Sequence, residues 1–286
     1  MVVMMVILPS STVTASSNIS LENCQQKCGN VIVPFPFGFG RPECAKNSAF
    51  LLECNQSSSL LYGDTPINNI SLENGTITGL IDSAYQCNDG SRNGRSPTKI
   101  SRSVISKRWS FIISPTHNKL VGLGCDTLAM MTDREGRVKS ACITFCIDSA
   151  DLRNYGSCSG FGCCQTPIPK DLNQLNITVI SRYVDAYGSD FSPCSYAFVV
   201  ANSFDISTIN LLGYRETAPM WPVVFEWVIG DHQGCQHYCG LYAECSYSHT
   251  GGGFRCSCKQ GFIGNPYLPQ GCQGTYLQLT AQYIFF

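Results

Sequence analysis

The feature that most limits what this 286-residue chain can fold into is a run of six cysteines near its C-terminus. Cys235, Cys239, Cys245, Cys256, Cys258 and Cys272 are spaced C-x3-C-x5-C-x10-C-x-C-x13-C. A segment of 38 residues buries too little apolar surface to hold itself folded, so cross-links must supply what its core lacks. That requirement places the chain in an oxidising compartment, where cystines form and persist.

The other cysteines point the same way. There are 18 in all, an even number, and twelve lie upstream of the ladder, where a reducing compartment would keep them free or metal-bound. Residues 1–15 read as a signal peptide: an apolar run from Val2 to Leu8 leads into small polar residues, with Val13 and Ala15 set for cleavage after Ala15. Five Asn-x-Ser/Thr sequons follow, at Asn18, Asn55, Asn69, Asn74 and Asn176, each an acceptor for N-linked sugar in a secreted chain. No later stretch of about 18 apolar residues occurs, so no helical membrane span is expected. Residues 273–286 read as an unstructured tail.

The cysteines also divide the chain. Six fall between Cys24 and Cys125, six more between Cys142 and Cys194, and residues 195–234 carry none before the ladder begins. This predicts two cysteine-stapled β domains, at 24–125 and 126–230, followed by a small module at 235–272, with the cysteine-free stretch as a joint. Strand signals are plentiful. Val223, Phe225, Trp227 and Ile229 alternate on one face, as do Trp109, Phe111 and Ile113. Residues 177–183 and 196–200 are rich in β-branched and aromatic side chains. Residues 70–72 and 76–78 flank Asn74-Gly75, a pair that favours tight hairpin turns. Long stretches of helical period are absent, so the expected class is mainly β and disulfide-rich.

Two motifs stand out. In Cys28-Gly-Asn-Val-Ile-Val-Pro-Phe-Pro-Phe-Gly38 two prolines lie two apart; each removes a ladder donor, which predicts an edge or polyproline-like ribbon displaying Phe35 and Phe37. Those rings are candidate platforms for stacking sugars, although a hydrophobic clamp beneath a disulfide is the plainer reading of buried-type residues. In the second motif, Cys163 and Cys164 are adjacent, with Cα atoms about 3.8 Å apart, below the usual disulfide span of about 4.4–6.8 Å, so they must pair with different partners. A zinc site at this pair or at Cys142-x3-Cys146 would need reduced sulfur, which the compartment disfavours. No cofactor is expected.

The Cys28–Gly38 ribbon, Gly124-Cys125-Asp126, the block from Cys158 to Pro169, Cys194-Ser-Tyr-Ala-Phe198 and the terminal ladder follow one another in an order that resembles the extracellular region of plant wall-associated receptor kinases. The resemblance covers roughly residues 24–272. It implies a galacturonan-binding domain at 24–125, a cysteine-rich β domain at 126–230 and an epidermal-growth-factor-like module at 235–272, the last acting as a stapled spacer. It also implies bridges Cys235 to Cys245, Cys239 to Cys256 and Cys258 to Cys272. Calcium-binding versions of such a module place Asp or Asn two residues after the third cysteine; Tyr247 stands there, so calcium is not expected. The pairing of Cys24 to Cys194 stays open at this point.

What the family binds directs attention to charge. The whole chain carries −1 with only 14 % charged residues, against a nucleic-acid binder. Locally, however, Arg92, Arg95, Lys99, Arg102, Lys107 and Arg108 gather with no acidic residue between Gly90 and Asp126. De-esterified pectin carries carboxylates, and arginine grips a carboxylate through two parallel hydrogen bonds, so this stretch is the candidate site for an acidic polysaccharide. A solvated loop is the plainer reading. The resulting expectation is a non-catalytic, extracellular pectin-binding ectodomain at the cell wall, or alternatively one whose ligand is a protein or peptide. The sequence contains no glycine-rich nucleotide loop and no Asp-Phe-Gly, so kinase activity is not expected of it. Asp148 with Asp151, or Asp185 with Asp190, are only sequence neighbours, not a recognisable glycosidase pair.

Overall fold

The structure is a computed structural model that describes residues 19–87, 99–101, 103–106, 111–147, 151, 158–170, 174–181, 194–209, 219–230, 234–248 and 252–274. Among them strands dominate and helix is confined to single 3-10 turns. The chain is mainly β and disulfide-rich. All 18 cysteines are paired.

Three larger sheets carry the architecture. A seven-stranded sheet runs in the order Phe111–Ile113, Met220–Trp227, Thr76–Asp82, Thr65–Ser71, Leu60–Tyr62, Leu51–Cys54, Gly38–Phe39. A five-stranded sheet runs Cys163–Pro167, Asn118–Leu123, Cys194–Ala201, Ala84–Cys87, Lys99–Ser101, and a four-stranded sheet runs Ser103–Ser106, Gln174–Ser181, Thr127–Thr132, Val138–Ile143. The Asn74-Gly75 hairpin forms between Thr65–Ser71 and Thr76–Asp82, with Ser71 opposite Thr76 and Gly75 at φ +61°.

The four- and five-stranded sheets pack face to face. Ala129, Met131, Leu175, Ile177 and Val179 of the first meet Leu120, Ala197, Val199 and Ala84 of the second. The five-stranded sheet is covered on its other side as well, where Val121, Leu123, Tyr196, Phe198 and Val200 join Trp221 and Ile206. Cys194–Ala201 is therefore buried at all eight positions, the continuous apolar pattern of a strand with both faces inside. A third core, around Phe37, Phe50, Phe111 and Trp227, fills one side of the seven-stranded sheet.

The sheets do not follow the boundary drawn from the cysteine blocks at 125/126. Met220–Trp227 lies between Phe111–Ile113 and Thr76–Asp82, and Ala84–Cys87 pairs with Cys194–Ala201, closed by the Cys87–Cys194 bridge. The cysteine-free stretch is likewise core, not joint. Trp221 enters the core with Phe198, Val223 the core with Ala129, and Trp227 with Ile229 the core with Phe37, so one strand is common to all of them. A disulfide records where two strands meet, and these strands come from both sides of 125/126.

Adjacent Cys163 and Cys164 take different partners, Cys158 and Cys142. Cys125 bonds Cys146, Cys24 bonds Cys44 and Cys28 bonds Cys54. In the C-terminal module the pairs are Cys235–Cys245, Cys239–Cys256 and Cys258–Cys272. The module packs against the rest of the fold. Tyr267 and Leu268 belong to the Phe37 core, and Ile229 bridges Phe254. Asn265, 2 % exposed, donates through Nδ2 to the Ile19 carbonyl at 2.8 Å and the Phe35 carbonyl at 2.7 Å.

Candidate ligand-binding surface

Residues 24–82 form a sheet edge pinned by the Cys24–Cys44 and Cys28–Cys54 bridges. The Pro-Phe-Pro-Phe segment folds inward instead of lying along the surface: Phe37 N–H donates to the Pro34 carbonyl and Phe35 N–H to the Ile19 carbonyl. Phe37 is fully buried and Phe35 is 7 % exposed. The Phe37 ring meets Phe50 and Trp227 edge-on, each at 5.2 Å between centroids. Neither phenylalanine offers a face to a sugar, so both leave the candidate ligand set. The physical reason is the size of their apolar surface, which in a small sheet makes the core.

Apart from Ile32, the side chains that residues 24–82 expose are mostly polar. Lys27, Arg41, Lys46, Asn47, Asn68 and Asn69 face solvent. The segment holds three basic residues, Lys27, Arg41 and Lys46, against five acidic ones, Glu43, Glu53, Asp64, Glu73 and Asp82, so it supplies no cationic excess for a polyanion. Two of its cations are engaged: Arg41 pairs with Glu43 at 3.4 Å, and Lys46 sits 5.4 Å from the centre of the Tyr238 ring.

The cationic excess lies in residues 92–108. Arg92, Arg95, Arg102, Lys107 and Arg108 fall outside the described residues, and of Lys99 the backbone alone is described, paired opposite Cys87. That pairing makes Lys99–Ser101 the edge of the five-stranded sheet, while Ser103–Ser106 is the edge of the four-stranded one. The basic stretch thus passes from one sheet edge to the next. Of the sequons, Asn18 is outside the described residues, Asn69 and Asn74 are exposed on one hairpin, and Asn55 and Asn176 are half-buried.

One buried polar cluster was not anticipated. Glu226 is 6 % exposed. Its Oε1 accepts from Ser114 Oγ at 2.6 Å, its Oε2 accepts from Arg255 Nη2 at 3.0 Å, and His117 Nδ1 lies 2.8 Å from the same Ser114 hydroxyl. Serine, histidine and carboxylate meet here, yet the order is wrong for nucleophilic catalysis. The serine hydroxyl donates to the glutamate and has no exposed surface, so it is not presented to a substrate as a nucleophile. The signal was present in the sequence as the lone charge within the apolar run 223–229. Its role is structural, since Arg255 belongs to the C-terminal module. The sulfurs of Cys235, Cys239 and Cys245 also converge, but each is held in a cystine and offers no thiolate to a metal.

Comparison with known proteins gives this geometry its context. Residues 24–82 match the family described as wall-associated receptor kinase galacturonan-binding. Among curated proteins of Arabidopsis thaliana, wall-associated receptor kinase 2 is 35 % identical over 261 residues, covering 88 % of this chain and 34 % of that one. Wall-associated receptor kinase 1 is 31 % identical, with the same shares covered. No solved structure matches the chain. The chain spans about a third of the length of these relatives, and within it no helix of the described residues is long and apolar enough to cross a membrane. From its galacturonan-binding region through its last cystine, the chain is similar to the third of the wall-associated receptor kinases that these matches cover.

Proposed function

We propose that this chain is a non-catalytic ectodomain that binds de-esterified homogalacturonan in the plant cell wall, outside the plasma membrane. The observation that carries the reading is the galacturonan-binding match at residues 24–82. The chain then runs through Ala84–Cys87, which pairs with Lys99–Ser101 within the basic stretch. Since residues 24–82 have no cationic excess, the carboxylates of the polysaccharide are assigned to Arg92, Arg95, Lys99, Arg102, Lys107 and Arg108, with the exposed amides of Asn47 and Asn68 available to sugar hydroxyls. Ion pairing at a surface is screened by salt, so retention on polygalacturonate should fall steeply as salt rises and should be competed by oligogalacturonides but not by fully methyl-esterified pectin. Charge reversal at Arg92, Arg95 and Arg102 together should abolish retention while leaving the melting temperature unchanged. Unaltered retention in that variant would place the site elsewhere.

A protein or peptide ligand is the second reading. It is favoured by the exposed apolar side chains of the C-terminal module, Leu241, Tyr242, Tyr247 and Ile263. Failure of oligogalacturonides to bind at all would turn attention to that surface.

A further inference from the structure

The four-stranded sheet is apolar on both faces. Its inner face is the core already described. Register fixes its outer face: Leu128 lies opposite Ile143 on one side and Ile180 on the other, Met130 lies between Ala141 and Thr178, and Thr132 lies between Val138 and Asn176. Beyond the ladder the same extended segment continues. Thr144 turns inward, fully buried, while Phe145 and Ile147 point out, and Phe145 bridges Phe161. Exposures are 57 % for Val138, 45 % for Ile143, 52 % for Phe145, 82 % for Ile147, 50 % for Phe161 and 41 % for Ile180. At about 150–250 Å² for a large side chain, this amounts to roughly 600 Å² of apolar surface, the size of the largest patch on an ordinary monomer. No outward residue in these rows is ionisable. Charges lie at its two ends: Asp133 pairs with Arg137 at 2.8 Å and with Lys139, beside Val138, at 3.2 Å, and at the far end Asp151 Oδ2 accepts from the Ile147 N–H at 2.6 Å.

The Asp133 end also holds a sequon. Asn176 alternates with buried Leu175 and Ile177, so it shares the outer face with Thr178 and Ile180, and Thr178 is the sequon's own hydroxyl residue. We propose that this face is the seat of the protein's own N-linked glycan, attached at Asn176 and lying along the sheet toward Ile143, Phe145 and Phe161. The chemistry matches. Pyranose rings present C–H faces that pack on leucine, isoleucine and phenylalanine, while their rim hydroxyls meet Thr132 and Thr178. A neutral sugar chain suits rows of side chains that carry no charge between the two ends. At about 3.3 Å per residue, Asn176 to Ile180 is roughly 13 Å, within reach of a branched core several sugars long. The covalent tether also keeps the sugar at high local concentration. A second copy of the chain fits less well, because two sheets packed face to face stand only about 10 Å apart and the glycan would stand between them.

The test uses the secreted chain made in a host that adds high-mannose glycans. Mass spectrometry reads occupancy at Asn176, and hydroxyl-radical footprinting reads the exposure of Ile143, Phe145, Phe161 and Ile180. Trimming the folded glycoprotein with endoglycosidase H to a single sugar should raise labelling of these four severalfold, with Ile263 on the module as an unchanged control. Thr178→Val, which removes the sequon and keeps the side-chain shape, should match the trimmed protein, whereas Thr178→Ser should match the untrimmed one. Because trimming acts on folded protein, a variant that fails to fold does not spoil the test. An unoccupied Asn176, or labelling that trimming leaves unchanged, would overturn the proposal. So would a dimer that shields the face in the sugar-free variant and in the wild type alike, since that would assign the surface to a second copy.

Discussion

Arg255 of the C-terminal module reaches Glu226 of the Met220–Trp227 strand, Nη2 to Oε2 at 3.0 Å, and the same guanidinium donates to the Trp227 and Asn74 carbonyls. One side chain therefore ties the module to the strand next to the edge of the seven-stranded sheet and to a hairpin turn beside it. Removing it in Arg255→Ala leaves a buried carboxylate without that cation. The expected loss is about 2–3 kcal/mol by chemical denaturation, somewhat under the roughly 3–5 kcal/mol typical of a fully buried pair because Arg255 keeps some contact with water. Adding Glu226→Gln to that variant removes the stranded charge and should recover part of the loss. If the double variant were the less stable of the two, the pairing would not be the source.

Gly75 makes the arginine's position possible. A Cβ there would stand 2.6 Å from Arg255 Nε, and the backbone lies at φ +61°. Gly75→Ala should cost more than 2 kcal/mol in the natural chain but only about 1–2 kcal/mol, the backbone term, once Arg255 is alanine. Additive losses in the double-mutant cycle would show that the two positions do not meet.

Asn265 holds the module to the N-terminal segment through two donated bonds, and its Oδ1 accepts from the Tyr267 N–H at 3.0 Å. Asn265→Ala should cost roughly 2–4 kcal/mol by leaving buried carbonyls without donors. Asn265→Asp, nearly the same shape, should be worse, because it sets a carboxylate against two carbonyl oxygens. Melting temperatures ordered with aspartate above alanine would contradict the assignment.

Burial pushes the Tyr267 phenol up to about 12, against the opposing pull of the Cys256 N–H that donates to its oxygen at 3.0 Å. A raised folded value means that the neutral phenol favours the fold. This contribution is fully present below pH 10, the unfolded value, and is lost as pH rises toward 12, amounting to roughly 2–3 kcal/mol in all. Stability should fall through that window in the natural chain, and the Tyr267→Phe variant should show a flatter profile above pH 10, measured as urea midpoints.

Much of this architecture could be read from local pattern. Alternation at 223–229 marks a strand because period two is a property of neighbours in sequence, and Asn74-Gly75 marks a turn because a left-handed backbone is a property of one residue. The adjacency of Cys163 and Cys164 excludes their mutual bond on covalent geometry alone. Pairing across distance is different. Nothing in Thr76–Asp82 or Met220–Trp227 names the other as its partner, and Phe35 looks the same in sequence whether its ring faces water or the Trp227 core. The candidate cations were legible as composition, whereas the Glu226 cluster needed Ser114, His117 and Arg255 to be brought together from three separate segments.

The strand shared by the three cores has a practical consequence for anyone who works with pieces of this protein. A fragment cut to residues 24–82 would end on Thr76–Asp82 with one whole side of that strand bare, since its neighbour there is supplied by residues 220–227. It would also lack Trp227 beneath Phe37 and Phe50. Such a fragment presents open backbone donors and acceptors and an unroofed aromatic floor, the conditions for strands to recruit one another. Sugar retention measured on it would report the behaviour of an assembly, so the natural unit for binding work runs at least from Ile19 to Gly274.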